Sequence, residues 1–157
     1  MIFDNISPTS KAWVYVSSQK IDDNLLSSLN NRFKEFFTDW MSHGQLIDGE
    51  FKVINDYIIV IGAGVKNGNM CGRAVDAQIR FIKELDEQLD LDLLNRNKIA
   101  FNVNEKLSWF DFKEIQSLIK EKKISHNTLW CNTFLNNNQD DVFIPFDQSP
   151  FASMYFS

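Results

Sequence analysis

The residues that could carry chemistry in this sequence are few, and the two cysteines are the most reactive among them. Cys71 and Cys131 lie sixty residues apart, and neither belongs to a CxxC pair. Structural zinc sites draw their ligands from closely spaced pairs, so the sequence predicts no metal site. Either cysteine could act as a nucleophile if His43 lay beside it in space, although a free cysteine is more often a small buried apolar residue.

A glycine-rich stretch at 62–72 follows a predicted strand and precedes a predicted helix, where backbone N–H groups can hold a phosphate. Gly62, Gly64 and Gly68 give GxGxxxG, which differs from the GxGxxG of dinucleotide-binding proteins. The chain contains no GxxxxGK[ST] P-loop and no GxSxG or HExxH motif. The sequence therefore predicts no catalytic residues, no cofactor and no ATPase activity.

Composition and charge narrow the class of protein. Hydrophobic residues make up 44% and charged residues 24% of the 157 residues, which indicates an ordinary globular chain rather than a disordered one. The net charge of −5 disfavours nucleic acid as a partner, because binding to phosphates relies on lysine and arginine. No basic leader and no apolar run of about 18–20 residues is present, so the sequence predicts a cytoplasmic protein away from the membrane.

The helices that would position these residues show clear periodicity. Asp22 or Asp23 is expected to cap a long first helix, and Gly44 to end it, which places His43 at the helix C-terminus. A second helix carries an apolar stripe formed by Val75, Ile79, Ile82, Leu85 and Leu89. A capping box at 111–114 opens a third helix, and a short fourth helix follows residues 149–150.

Alternating β-branched and aromatic residues predict strands at 12–17, 51–55, 57–61, 99–103, 107–109, 129–134 and 142–146. Together with the helices, they predict one α+β domain over residues 1–157. Its core would be a ferredoxin-like β-α-β-β-α-β unit up to residue 103, followed by a β-β-α-β-β extension at the C-terminus.

Several segments resemble a family of small uncharacterised bacterial proteins that are often labelled "ABC transporter ATPase". The similar segments are WVYVS at 13–17, WMSHG at 40–44, CGRAVD at 71–76, IRFIKEL at 79–85, LNR at 94–96, AF at 100–101 and Asn132. Where relatives have SGCSID, this chain has CGRAVD at 71–76, so Arg73 stands at the position of the relatives' cysteine, and only the nearby Cys71 could replace it. The label implies ATP hydrolysis, which needs a P-loop that this chain lacks, so the resemblance implies no activity.

Three functions follow as hypotheses. The first is a binding or regulatory module without catalytic activity, whose partner is a protein of unknown identity. The second is a small enzyme or a domain that binds a small anionic ligand in a pocket at the start of the second helix, with the candidate residues His43, Gly44, Arg73, Asp76 and Arg96. The third is association with RNA or the ribosome, which the acidic charge disfavours. Convergence of the candidate side chains in a cleft would favour the second hypothesis.

Overall fold

The computed structural model describes residues 1–66 and 69–156 and shows an α+β chain. The strands are β1 (Lys11–Val16), β2 (Met41–Ser42), β3 (Gln45–Leu46), β4 (Asp48–Ile54), β5 (Ile58–Gly64), β6 (Lys98–Val103), β7 (Lys106–Asp111), β8 (Leu129–Cys131) and β9 (Phe143–Pro145). The helices are α1 (Asp23–Thr38), α2 (Gly72–Leu89), α3 (Ile115–Lys120) and α4 (Ala152–Tyr155), with 3₁₀ turns at Phe112–Glu114 and Phe146–Gln148. None of these helices has the length and apolar character needed to cross a bilayer, as far as the described residues extend.

The described chain divides into two compact units. The first comprises residues 1–94 and 134–140, and the second comprises residues 95–133 and 141–157. The expectation of a single domain over residues 1–157 stays a prediction.

The first unit is built on a three-stranded antiparallel sheet in the order β1-β5-β4. Every residue of β5 is buried, as expected for a strand that is apolar on both faces. Strands β4 and β5 are joined through Asn55 and Asp56, which both have positive φ (54° and 63°). Two consecutive residues with positive φ form the tight turn that matches the twist of antiparallel strands, so the predicted hairpin is confirmed.

Helix α1 begins where the sequence predicts and ends earlier. The Asp22 carboxylate accepts a 2.8 Å hydrogen bond from the Leu25 N–H, which satisfies a free amide of the first turn. Leu29 and Phe33 are fully buried in the core of the first unit with Ile59 and Ile61 of β5. The helix ends at Thr38, so the prediction that it extends to His43 is wrong.

His43 and Gly44 form the turn of a short hairpin, β2–β3, instead of a helix terminus. Their φ angles are 52° and 77°, the conformation of a two-residue hairpin turn. Glycine after a polar residue favours both this turn and a helix end, because each requires positive φ. The sequence therefore indicated a residue with positive φ at Gly44 correctly, but the prediction that a helix ends there was wrong.

The buried face of helix α2 overlaps the predicted stripe, because Ile82 and Leu85 are buried and Leu89 packs against the core, but it does not coincide with it. Its buried residues are Ala74, Gln78, Ile82 and Leu85, whereas Ile79 is exposed. Gln78 lies inside because its amide Nε2 donates to the Tyr15 hydroxyl (2.8 Å) and its Oε1 lies 3.1 Å from the same hydroxyl. A satisfied polar group can occupy a core position at little cost, and hydropathy alone misplaces it.

The second unit contains a four-stranded antiparallel sheet in the order β7-β6-β8-β9. The strand predicted at 99–103, expected to complete the ferredoxin-like unit, is part of β6 and pairs with β7 and β8, so the ferredoxin-like topology is not confirmed. The hairpin from β6 to β7 turns at Asn104 and Glu105, both with positive φ. After residue 103 the described chain has the order β7, α3, β8, β9 and α4, which is one strand fewer before α3 than the predicted β-β-α-β-β extension. Strands β8 and β9 are also shorter than the predicted strands at 129–134 and 142–146. The core of the unit is formed by Ile99, Phe101, Ile115, Ile124, Trp130 and Phe146.

Residues 134–140 complete the first unit from far along the chain. Asn138 is fully buried, and its Oδ1 accepts a 2.8 Å hydrogen bond from the Phe3 N–H. Its Nδ2 donates to the carbonyl oxygens of Phe3 and Ser7 at 2.9 and 3.1 Å. The N–H of Ala12 in β1 donates to the carbonyl of Asn136 at 3.3 Å. These bonds fix the first residues of the chain and one side of β1.

Candidate functional site

The turn of the β2–β3 hairpin lies against the start of α2. The backbone N–H of Cys71, the residue that caps α2, donates a 2.9 Å hydrogen bond to the Ser42 Oγ. Ser42 is buried, whereas Cys71 is half-exposed and His43 is exposed. The hairpin therefore places a hydroxyl and an imidazole beside a partly accessible thiol.

Trp40 connects the β2–β3 hairpin to the first turn of α2. Its indole N–H donates to the carbonyl oxygen of Ala74 at 2.9 Å, and its side chain is buried. Ile47, Ala63 and Ala74 form a small apolar cluster with it. A buried aromatic ring with a satisfied N–H fixes geometry as well as adding apolar contact, so the first turn of α2 cannot drift away from the hairpin.

The electrostatic surroundings of the Cys71 thiol favour its ionised form. They lower the pKa of the thiol to about 7, chiefly through the hydrogen bond from the Ser42 hydroxyl. The backbone N–H groups of His43 and Ala74 contribute next, and the charge of the His43 imidazole adds a smaller effect. Hydrogen bonds to a thiolate stabilise it because the neutral thiol accepts such bonds only weakly. About half of Cys71 is therefore a thiolate at neutral pH.

The predicted site residues are only partly brought together. His43 and Gly44 lie in the hairpin turn, and His43 acts on Cys71 through its charge and its backbone N–H. Arg73 and Asp76 lie on α2 and are exposed, and neither has a hydrogen bond or ion pair with another described residue. Arg96 is exposed in the second unit.

No ion pair or hydrogen bond joins the Asp76 side chain to an arginine among the described residues. Asp76 also lies beyond the first turn of α2, which contains no acidic residue. The glycine loop could hold a phosphate only through backbone N–H groups around residues 62–72, and Gly68 of that motif lies outside the described residues. Gly62 and Gly64 belong to β5 and are buried, where Phe3 and Ile6 occupy the space that a Cβ would need.

Sequence reasoning missed Ser42. A serine before a predicted helix end carries no local signal, and its effect depends on a residue that lies 29 positions further along the chain. Sequence reasoning also left Cys71 and Cys131 equal as candidate nucleophiles. The structure separates them, because Cys131 is fully buried and burial raises the pKa of its thiol to about 12.

The arrangement at the start of α2 can perform two kinds of chemistry. A partly exposed thiolate is a nucleophile toward disulfides and oxidants. The same amides and the same helix terminus also stabilise negative charge from a ligand. Among the described residues, no three His, Cys, Asp or Glu side chains are grouped so that they could hold a metal ion.

Comparison of the chain with protein-family models, with curated proteins and with solved structures found no match. The resemblance to the bacterial family labelled "ABC transporter ATPase" therefore stays a prediction.

Proposed function

We propose that this chain is a binding and regulatory module, without catalytic turnover, in which the thiol of Cys71 is the responsive group. The observation that supports the proposal is the set of donors around Cys71, led by the Ser42 hydroxyl, which lowers the thiol pKa to about 7. A redox-responsive thiol needs a low pKa to react at neutral pH.

The response would be thiol–disulfide exchange with a low-molecular-weight disulfide. The Cys71 thiolate attacks one sulfur of the disulfide, a new S–S bond forms, and the old S–S bond breaks. The departing thiolate carries away the electron pair and takes a proton from water. A second thiol reverses the reaction by attacking the mixed disulfide. The exchange replaces a small anion at the start of α2 with a bulky group, which changes the surface that a partner protein would contact.

The first test is the rate of alkylation by iodoacetamide between pH 5 and 10, with each cysteine followed by peptide mass spectrometry. We expect the rate at Cys71 to rise with a midpoint near pH 7, because the thiolate is the reacting form. A Cys71→Ser variant controls for reaction at other residues. A midpoint at the ordinary thiol pKa of 9.0 would overturn the proposal.

The second test asks whether the modification matters for binding. The native protein and a form alkylated at Cys71 are immobilised in parallel, and proteins captured from the source cell are compared. We expect a set of proteins to be retained by the native form and lost from the alkylated form. A Cys131→Ser variant, which keeps Cys71, serves as the matched control and should retain the same set. Identical capture by native and alkylated protein would contradict a regulatory role for this thiol.

A second candidate function uses the same surface to bind a small anionic ligand. The observation in its favour is that the start of α2 already stabilises a negative charge on sulfur, and Arg73 is exposed in the first turn. Inorganic phosphate at millimolar concentration should then slow alkylation of Cys71, and Arg73→Ala should remove that protection. If phosphate leaves the alkylation rate unchanged, the thiol proposal stands alone.

A further inference from the structure

Strand β4 lies at one edge of the first unit's sheet, and an open groove runs along it. In the described part of the chain, no strand pairs with the outer edge of β4. The groove has a volume of about 660 Å³ and is lined by residues of α1, of β4 and by Phe3. An edge strand exposes a row of backbone N–H and C=O groups that can pair with another strand.

The side chains of β4 differ on its two faces. On the helix face, Phe51 stacks on Phe33 at 4.1 Å between ring centroids, and Gly49 lies against the ring of Phe37. On the opposite face lie Glu50 and Lys52, which alternate with Gly49 and Phe51 along the strand. The edge therefore offers an apolar face and a face with two acids, Asp48 and Glu50, and one base, Lys52.

Glu50 is only half satisfied. Its Oε1 accepts a 3.1 Å hydrogen bond from the Asn5 amide, while its Oε2 is buried and has no hydrogen-bond partner among the described residues. Lys52 donates to the carbonyl of Ile2 and lies over the ring of Phe3. A lysine ammonium has three N–H donors, so Lys52 can bind a second acceptor. The attraction available to a second copy is therefore between the charges of Glu50 and Lys52 along the strand edge.

The sequence of β4, DGEFKVI, is complementary to itself in one antiparallel register. Paired residues of antiparallel strands point to the same face, so two copies related by a twofold axis through the sheet must place a residue opposite its own copy. If the twofold axis between the two β4 strands passes at Glu50 or at Lys52, that residue lies opposite its own copy, and two like charges meet, which is unfavourable. Centring it on Phe51 places Glu50 of each copy opposite Lys52 of the other.

We propose that the outer edge of β4 is the docking surface for a second copy of this chain, with Phe51 opposite Phe51. Two Glu50–Lys52 pairs of opposite charge then form across the axis. Val53 of each copy lies opposite Gly49, the one position of β4 without a side chain, in the groove beside Phe37. The two three-stranded sheets join into one sheet of six strands.

The competing explanation is that Lys52 prevents association, since lysine on an edge strand commonly blocks pairing with another strand. Sedimentation velocity of the full chain over a wide concentration range separates the two. The dimer proposal expects a monomer–dimer equilibrium that depends on concentration. A protective Lys52 expects a monomer throughout, and that result would overturn the proposal.

Charge exchange tests the register. Glu50→Lys and Lys52→Glu each place like charges opposite one another twice, so each should weaken the dimer by about tenfold or more. The double variant E50K/K52E restores both opposite-charge pairs and should restore the dimer. Lys83→Glu, an exposed charge change on α2, is the control and should leave association unchanged. Circular dichroism and a thermal melt establish that each variant is folded before its sedimentation is compared.

Two further outcomes decide against the proposal. Dimerisation that survives both single exchanges would mean that the copies meet through another face. Loss of the dimer in the double variant as well as in the single variants would mean that Glu50 and Lys52 act through contacts within one copy, those of Asn5 and Ile2, and do not pair across the edge.

Discussion

The two cysteines have opposite surroundings, and each belongs to a different unit of the chain. Cys71 is half-exposed at the start of α2, where the Ser42 hydroxyl and two backbone N–H groups lower its thiol pKa to about 7. Cys131 is fully buried in β8, next to Trp130 in the sequence, where burial raises the thiol pKa to about 12. One residue type thus gives a reactive group in one unit and a core residue in the other.

The difference shows that donors, more than exposure alone, decide what a cysteine can do. Exposure permits reaction, but an exposed thiol without donors stays mostly protonated at neutral pH. At Cys71 the donors come from two elements, the hairpin turn and the first turn of α2, that meet only in the folded chain. Reactivity at this position is therefore a property of the fold.

The largest expected difference between the two cysteines is in the stability of the fold when each is replaced by serine. Cys131→Ser places a hydroxyl in a fully buried site, and we expect a loss of about 1–3 kcal/mol in the free energy of unfolding. Cys71→Ser should leave stability nearly unchanged at pH 6, because serine is a good helix cap and the thiol there is neutral. Urea unfolding followed by tryptophan fluorescence and circular dichroism measures both. Equal losses for the two variants would contradict the contrast.

The pH dependence of stability should have opposite signs at the two sites. The folded pKa of Cys71 lies below its ordinary value of 9.0, so its contribution is full above pH 9 and is lost as the pH falls toward 7. The folded pKa of Cys131 lies above 9.0, so its contribution is full below pH 9 and is lost as the pH rises toward 12.

Melting temperatures between pH 6 and 10 test these signs. The difference between the native chain and Cys71→Ser should grow from pH 7 to pH 9. The difference between the native chain and Cys131→Ser should shrink above pH 9. If both differences change in the same direction, the two thiols do not have the opposed pKa shifts described above.

The smallest expected effect concerns Ser42. Ser42→Ala removes the hydroxyl that contributes most to the low pKa of Cys71, so the pKa should rise toward its ordinary value. We expect alkylation of Cys71 by iodoacetamide at pH 7 to slow by about twofold. Ser28→Ala, an exposed change within α1, is the matched control. A rate unaffected by Ser42→Ala would assign the low pKa to the backbone N–H groups.

Local chemistry was sufficient to predict most elements of this fold. The Asp22 cap, the turn at Asn55 and Asp56, and the capping box that begins at Asp111 are each determined by residues within four positions of one another. Such signals can be recognised in a sequence because the groups that form them are neighbours in it. Trp40 was misplaced in the first helix because its apolar spacing continues that of α1, whereas it packs beneath the hairpin.

Pairing between distant segments could not be predicted in the same way. Residues 98–103 have the pattern of a strand, but nothing in that pattern selects β8 over β1 as a neighbour. The candidate site was not predicted for the same reason, because its residues come from segments that are distant in the sequence. His43 and Cys71 were identified as residues capable of chemistry, whereas Ser42, which links the hairpin to α2, was not. Exposed residues such as Arg73 were included among the candidate site residues only because an arginine side chain can bind an anion.

The hydrogen bonds of Asn138 limit when the segment around Phe3 can fold during synthesis on the ribosome. Phe3 is translated 135 positions before Asn138, whose side-chain amide binds the Phe3 backbone. Closing so long a loop carries a large entropic cost and comes late in folding. The sheet of the first unit can assemble during synthesis, since β1, β4 and β5 all lie within residues 11–64. The segment around Phe3 can be secured only after Asn138 has been translated.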